Sequence, residues 1–219
     1  EKQKQFITDA GHELKTPITV IATSLKVLEM ESGENKWIDK SLAQTEKLRD
    51  LVNSLVSLSR LDEEQSPLKM AEFPISEAIS ETAESFRDYA EANDHELQLE
   101  IAPELTYIGD EYAIRQLVSI LLDNAVKYAD EHACIKLSLE KGKKGPVIRT
   151  MNPCTGLTRQ QVERLFDRFY RVDASRSSSG FGIGLSLAHS IAEGHKGSIK
   201  ATCCEENKIE FTVSLGKCV

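Results

Sequence analysis

The chain has 219 residues, of which 28% are charged and 40% hydrophobic, and its formal net charge at pH 7 is −8. This composition is typical of a globular protein of one or two domains, and the negative charge disfavours nucleic acid as a partner because DNA-binding proteins present a basic face. No apolar run approaches the ~20 residues that a membrane-spanning helix needs.

The N-terminal part of the chain carries apolar residues in heptads, which predicts two long helices. The first heptad pattern covers residues 5–30, and a turn-forming Ser-Gly-Glu-Asn at 32–35 separates it from the second. A helical hairpin of this kind has little core of its own, so we predict that residues 1–66 form a homodimeric four-helix bundle. The predicted seam positions are Ile7, Gly11, Leu14, Ile18, Ile21, Leu25 and Leu28 on the first helix and Leu48, Leu51, Leu55 and Leu58 on the second.

Beyond the Ser66-Pro67 break the pattern changes to mixed strands and helices. This mixture predicts one α/β sandwich domain over residues 67–219. The strand-like runs lie at 97–102, 133–139, 147–151, 198–203 and 208–215, and the helical patterns lie at 75–92, 111–129, 159–166 and 183–194.

The first helix carries a histidine in an unusual local context, at residues 6–17. At ~100° per residue, His12 lies about 200° around the helix from the seam residue Leu14 and so points away from it. Pro17 cannot donate to the carbonyl of Glu13, which predicts a kink beside His12. Glu13 can accept a proton from one imidazole nitrogen while the other attacks a phosphorus atom. Position alone leaves an inert surface histidine open.

The whole string at 6–17, Phe-Ile-Thr-Asp-Ala-Gly-His-Glu-Leu-Lys-Thr-Pro, resembles the phosphoacceptor box of sensor histidine kinases, with Gly11 where a serine is commoner. The resemblance implies that His12 is the phosphoacceptor and Glu13 the base. It also implies that Thr16, one helical turn on, is a phosphatase residue that holds a water near the phosphohistidine.

Residues 121–128, Leu-Leu-Asp-Asn-Ala-Val-Lys-Tyr, close a predicted helix and place Asn124, Lys127 and Tyr128 on one face. An amide oxygen suits Mg²⁺ and an ammonium suits phosphates. Taken alone, the segment is also explained by an amphipathic helix with a polar end. By resemblance to a nucleotide box of these kinases, Asn124 binds magnesium, and Lys127 and Tyr128 contact the nucleotide. Ile120 stands where the family often has a second asparagine.

Residues 152–156, Asn-Pro-Cys-Thr-Gly, align with the adenine box of the family, Asp-x-Gly-x-Gly. Asn152 replaces the aspartate that accepts a hydrogen bond from the adenine amino group, Cys154 replaces a glycine, and Gly156 is retained. An asparagine carbonyl accepts that bond more weakly than a carboxylate. A plain turn at the exit of a strand explains this segment equally well.

Residues 165–171, Leu-Phe-Asp-Arg-Phe-Tyr-Arg, resemble the phenylalanine box of the family. We expect Phe166 and Phe169 to pack in the core, since they are three residues apart. The resemblance places Tyr170 and Arg171 at the nucleotide.

Residues 180–186, Gly-Phe-Gly-Ile-Gly-Leu-Ser, open a predicted helix. Bare backbone amides at a helix N-terminus bind anions, and glycines allow close approach. The preceding stretch, 171–179, is rich in Ser, Asp and Arg and predicts a lid over the nucleotide. The resemblance assigns nucleotide contacts to Gly180, Gly182, Gly184 and Leu185.

The resemblance extends from Phe6 to about Leu215 and implies the cytoplasmic catalytic core of a sensor histidine kinase of a bacterial two-component system. Its second domain is then an ATP-binding domain of the kind shared with gyrase and heat-shock chaperone ATPases, with ATP and Mg²⁺ as cofactors. The implied partners are a second copy of the chain and the receiver domain of a response regulator. The membrane is reached only through a sensor region outside this chain.

Two alternatives stay open at this point. One is a pseudokinase that acts mainly as a phosphatase of its regulator, which the altered adenine box favours. The other is a dimeric scaffold whose nucleotide domain only binds.

Overall fold

The chain begins with a helical hairpin. In a computed structural model that describes residues 2–33, 35–61, 68–172, 182–204 and 207–217, helix α1 covers Lys2–Ser32 and helix α2 covers Lys36–Leu61. Gly33 closes α1 in the left-handed region, with φ +74°, and its N–H donates to the Glu29 carbonyl at 2.9 Å. Glycine is the residue that adopts this conformation without a Cβ penalty, so the predicted turn falls here.

The two helices of the hairpin share a thin apolar seam. Among the described side chains, Ile18, Val52 and Val56 are each 3% exposed and form a cluster separate from the rest of the protein. Leu48 is 44% exposed within one hairpin, so its burial in the seam of a dimer stays a prediction. A helix turns one stripe towards its neighbour, and Val52 and Val56 occupy that stripe.

The other predicted seam positions have different surroundings. Leu14, Ile21 and Leu28 stay close to half exposed and form an apolar row along α1. Leu51 packs against the core of the following α/β part, where α2 contacts a helix of that part. The side chains of Leu55 and Leu58 lie outside the described part of the structure.

Two sheets follow the hairpin. The smaller one pairs β1 (Ala71–Phe73) antiparallel with β3 (Tyr107–Gly109). The larger one has the order β2-β4-β5-β7-β6, in which β2 and β4 run parallel and all other neighbours run antiparallel. Its strands are β2 (Glu96–Ile101), β4 (Cys134–Lys141), β5 (Pro146–Pro153), β6 (Ser198–Cys204) and β7 (Lys208–Ser214).

Helices cover one face of the larger sheet. The helices of this part are α3 (Ile75–Glu84), α4 (Arg87–Glu91), α5 (Glu111–Tyr128), α6 (Arg159–Glu163) and α7 (Gly184–Gly194). Alternate residues of each inner strand are buried, and they pack in one core with the apolar faces of α3, α5 and α7. The predicted fold, a helical hairpin followed by an α/β sandwich, is therefore confirmed.

Three details of the predicted elements differ. The helix predicted over 75–92 is two helices, because the Ser85 hydroxyl donates to the Thr82 carbonyl at 2.7 Å and competes with the helical backbone bonds. The three-residue strands β1 and β3 were not predicted. The boundary expected at Ser66-Pro67 lies outside the described residues. None of the helices in the described ranges is long and apolar enough to cross a bilayer.

Candidate functional site

The histidine segment lies in the first half of α1. The backbones of His12 and Glu13 are helical, while their side chains belong to the part of α1 whose side chains are not described. Thr16 is exposed, and Pro17 lies inside the helix. Pro17 has no N–H, so it leaves the carbonyl of Glu13 without its usual helical donor at this point.

Helix α5 positions the predicted metal and phosphate residues. Asp110 caps its start, because its Oδ1 accepts the Ala113 N–H at 3.0 Å. Leu117, Leu121 and Ala125 are buried as predicted, which turns the other side of the last two turns outward. The helix is thus fixed in rotation by its apolar face, and the predicted polar residues follow at its C-terminal end.

Those polar residues lie in the last turns of α5, away from its buried apolar face. Asn124 is half-buried and Tyr128 lies at the helix end, 36% exposed. The Lys127 ammonium lies 2.7 Å from the Asp123 carboxylate. A pair of this kind between adjacent helical turns contributes only about 0.3–0.5 kcal/mol, so a phosphate can compete for Lys127.

The residue that departs from the family pattern in this helix has an apolar role. A Cβ added to Gly184 would lie 3.4 Å from the Ile120 side chain, so Ile120 packs beside the first residue of α7. Helices α5 and α7 are in contact along this line. The glycine segment and the helix that carries Asn124 are therefore neighbours.

The predicted adenine box lies at the end of β5. Asn152 is 2% exposed, and its Nδ2 donates to the Pro153 carbonyl at 3.0 Å. Because a carbonyl oxygen only accepts, this contact assigns the amide nitrogen of Asn152 and leaves Oδ1 as its acceptor. Gly156 has φ +84°, which the following turn requires and which favours glycine.

The phenylalanine box follows α6, which begins with a capping box formed by Thr158 and Gln161. Phe166 packs edge-on against Phe211, with ring centroids 6.3 Å apart, so its predicted core position is confirmed. The core position predicted for Phe169 is wrong, because this side chain is 62% exposed.

The backbone explains the exposure of Phe169. Its φ is +63°, a left-handed value that is rare for an aromatic residue and that breaks the helical spacing to Phe166. The Phe169 N–H donates to the Gly182 carbonyl at 2.8 Å. A Cβ on Gly182 would meet the backbone of residues 169 and 170 at 2.7 Å, so only glycine fits this contact.

The remaining predicted contacts surround that turn. The Arg164 guanidinium lies over the Tyr170 ring, 4.3 Å from its centroid, and Arg171 is half-buried. Gly184 is the first residue of α7, and Leu185 is buried, so a nucleotide contact from Leu185 would come from its backbone N–H. Gly180 and most of the stretch predicted as a lid lie outside the described residues.

The four predicted nucleotide segments therefore converge within the α/β part, around the C-terminal half of α5 and the start of α7. Asp130, which the sequence analysis did not single out, also lies there and binds the turn at Thr155. No sequence signal could have found it, since a single aspartate after a helix is common. Asn124 is half-buried, and its amide oxygen is a ligand type that fits magnesium, which in nucleotide sites takes few protein ligands and completes its shell with phosphates and water.

Comparison with known proteins agrees with this arrangement. Residues 2–64 match the model of the His Kinase A (phospho-acceptor) domain, and residues 109–217 match the model of the histidine kinase-, DNA gyrase B- and HSP90-like ATPase. The sensor protein DltS of Streptococcus agalactiae is 34% identical over 98% of this chain. The chain covers 54% of DltS and so spans about half the length of that relative.

Solved structures show the same fold. The histidine kinase AdeS of Acinetobacter baumannii superposes with a TM-score of 0.69 at 23% identity, over 94% of this chain and 97% of AdeS. Full-length ShkA, in complex with AMPPNP, superposes with a TM-score of 0.79 at 20% identity, over 98% of this chain and 46% of ShkA. With both domain types matched in the order that the motifs predict, this chain belongs to the sensor histidine kinases.

Proposed function

We propose that this chain phosphorylates itself on His12 with Mg-ATP and then passes the phosphoryl group to an aspartate on the receiver domain of a response regulator. The observation that carries this proposal is the convergence of four separated nucleotide segments on α5 and α7, in a chain whose α1 bears the histidine segment. A protein that only binds nucleotide has no use for that segment.

The residues at the site have distinct roles in this proposal. Asn152 Oδ1 accepts from the adenine amino group, and Lys127 turns from Asp123 to the phosphates. Tyr170, Arg171 and the backbone N–H groups at Gly182, Gly184 and Leu185 surround the nucleotide. Asn124 would hold a magnesium ion, which would neutralise phosphate charge when bound. Catalysis then rests on positioning and charge neutralisation.

The chemical step occurs at His12. One imidazole nitrogen attacks the γ-phosphorus of ATP, the bond from that phosphorus to the bridging oxygen breaks, and ADP leaves. Glu13 accepts the proton from the other imidazole nitrogen, so the ring carries the phosphoryl group without a net positive charge. An aspartate carboxylate of the receiver domain then attacks the same phosphorus and restores the histidine.

The dimer and the cellular setting belong to the same proposal. The exposed apolar row of α1 gives each hairpin a surface that a second copy can cover, over residues 1–66 as predicted. We propose a further role for Thr16 in holding a water for dephosphorylation of the regulator, and a place for this chain on the cytoplasmic side of a membrane-anchored sensor.

The residues at the site do not favour the pseudokinase alternative. Asn152 keeps a carbonyl oxygen in the place of the aspartate, and the positions of Asn124, Lys127 and the glycines at 182 and 184 suit a working nucleotide site. A kinase that also dephosphorylates its regulator fits the residues better than a phosphatase alone.

The proposal is tested by incubating the purified chain with γ-labelled ATP and Mg²⁺. A phosphohistidine is labile in acid and stable in base, so we expect label that acid removes. A label that survives acid, or none under conditions in which calorimetry detects bound Mg-ATP, would refute autophosphorylation on histidine. Adding receiver domains to the labelled protein then tests the second step.

A further inference from the structure

Asp130 holds the turn that follows the predicted adenine box. It lies two residues after the end of α5, and both of its carboxylate oxygens accept the Thr155 N–H, at 3.2 and 3.1 Å. The Thr155 hydroxyl donates to Oδ1 at 3.0 Å. Hydrogen bonds to a charged acceptor are stronger than those between neutral groups, so these solvent-exposed contacts tie the end of α5 to the turn.

The backbone of Asp130 reaches the same turn by a second path. Its N–H donates to the Pro153 carbonyl at 3.1 Å, and this is also the carbonyl that accepts from Asn152 Nδ2. The orientation of the Asn152 amide therefore depends on the position of Pro153, and Pro153 is bound to residue 130. Asn152 Oδ1 faces away from that carbonyl as a consequence.

The other side of the turn is fixed by the sheet. The Cys154 N–H donates to the Asn207 carbonyl at 2.7 Å, and Asn152 and Pro153 belong to the β5–β7 ladder. Gly156 then turns the chain through a left-handed conformation. The sheet thus fixes the position of the turn relative to β7, while Asp130 fixes its distance from the end of α5.

We infer that Asp130 is a positioning residue for the nucleotide base. Through Thr155 and Pro153 it links the end of the helix that carries Asn124 and Lys127 to the strand end that carries Asn152. This link keeps the distance between the phosphate-binding residues and the base-binding residue constant. This inference rests on the proposed function, in which Asn152 Oδ1 accepts from the adenine amino group.

Two substitutions weaken the link without emptying the site. Asp130→Asn keeps the size of the side chain but replaces one acceptor oxygen by a donor, and Thr155→Val removes the hydroxyl donor. Glu131→Gln is the matched control, because it removes the same charge from the exposed neighbouring residue. Thr155→Ser is the conservative control, since it keeps both the N–H and the hydroxyl.

The experiment is calorimetric titration of each full-length variant with Mg-ATP and with the magnesium complex of purine riboside triphosphate, which lacks the 6-amino group. We expect Asp130→Asn to bind Mg-ATP about three- to tenfold more weakly, and Thr155→Val about two- to threefold. The affinity for purine riboside triphosphate should change little. The ratio of the affinity for ATP to the affinity for purine riboside triphosphate should therefore fall in both test variants. Both controls should bind as the unaltered chain does.

Three results would overturn the inference. Unchanged ATP affinity in both test variants would show that the link does not position the base. Equal losses for the two nucleotides, together with a lower unfolding temperature, would show a merely structural role. If the unaltered chain binds neither nucleotide, the proposed function itself fails. Should Asp130→Asn not fold, Thr155→Val decides by the same comparison.

Discussion

The hairpin and the α/β part bury their apolar residues in very different ways. Within the described residues, the hairpin encloses a cluster of Ile18, Val52 and Val56 and leaves a row of half-exposed residues along α1. The α/β part has a continuous core that includes buried residues from each strand of its larger sheet. The histidine thus lies on the part that has only a small buried cluster in one copy, and the predicted nucleotide site lies on the part that has a continuous core.

The largest effect is expected from a substitution that separates phosphorylation on the hairpin from nucleotide binding in the α/β part. We expect His12→Gln to abolish autophosphorylation and to leave Mg-ATP affinity unchanged, because every predicted nucleotide residue lies in the α/β part. Labelling with γ-labelled ATP measures the first and calorimetry the second. Phosphate on the variant at the level of the unaltered chain would show that His12 is not the acceptor.

The next largest effect is expected in the row of half-exposed apolar residues along α1. Ile21→Lys should convert a dimer to a monomer. Ile21 is already half-buried in one hairpin, so a second copy can bury only the remaining half of its side chain, which is worth about 1 kcal/mol in each copy. Losing this contribution from both copies costs on the order of thirtyfold in dimer affinity, and the cost of burying the lysine charge adds to that loss. Light scattering at micromolar concentration measures the mass. Thr23→Lys, which adds the same charge at an exposed position outside the row, is the control. A monomer in the unaltered chain would contradict the dimer.

Periodic elements of both regions could be predicted from sequence, and their irregular features could not. Heptads located α1 and α2, and alternating apolar residues located the five strands of the larger sheet. Strands β1 and β3 have three residues each, too few for any period to be visible. Their pairing comes from contacts between distant parts of the chain.

The candidate site shows the same division. The burial of Leu117, Leu121 and Ala125 followed from helical spacing. The exposure of Phe169 did not, because its left-handed backbone is imposed by the contact with Gly182, thirteen residues along the chain. The role of Asp130 was equally hidden, since Thr155 is far from it in sequence and becomes its neighbour only when β5 ends beside α5.

A third prediction concerns the pH dependence of the α/β part. His195 is fully buried, its Nδ1 lies 2.8 Å from the Ile191 carbonyl, and its Nε2 accepts the Asp110 N–H at 3.0 Å. Both contacts are satisfied only by the neutral ring. Burial lowers the pKa of His195 below its ordinary value of 6.5, and this outweighs the hydrogen bond to Ile191 and the charge of Asp110, which act in the other direction.

The sign of the effect follows from proton binding. Below pH 6.5 the unfolded chain protonates this histidine and the folded chain does not, so stability is full above pH 6.5 and is lost as the pH falls towards the folded-state pKa. The slope is at most about 1.4 kcal/mol per pH unit. Urea unfolding followed by circular dichroism between pH 5 and 8 measures it, with pH values chosen around the ordinary pKa. His195→Gln should be less stable at pH 8 and show a flatter profile below 6.5; parallel profiles would exclude His195 as the cause.

The smallest effect is expected at Asn152. This prediction tests the proposed contact between Asn152 and adenine, which lies within the α/β part alone. Asn152→Asp supplies a charged acceptor for the adenine amino group, worth about 1 kcal/mol more than the amide oxygen, so we expect ATP to bind several-fold more tightly and GTP to be discriminated against more strongly.

The structure predicts an opposing effect on the stability of the same variant. The carboxylate cannot donate to the Pro153 carbonyl as Nδ2 does, and it would be buried without a donor in the absence of nucleotide, so the variant should unfold at a lower temperature. Titration with ATP and GTP, combined with thermal unfolding with and without nucleotide, separates the two effects. If the variant is less stable but binds ATP no more tightly than the parent, Asn152 only holds the end of β5, and the adenine contact must be sought elsewhere in the site.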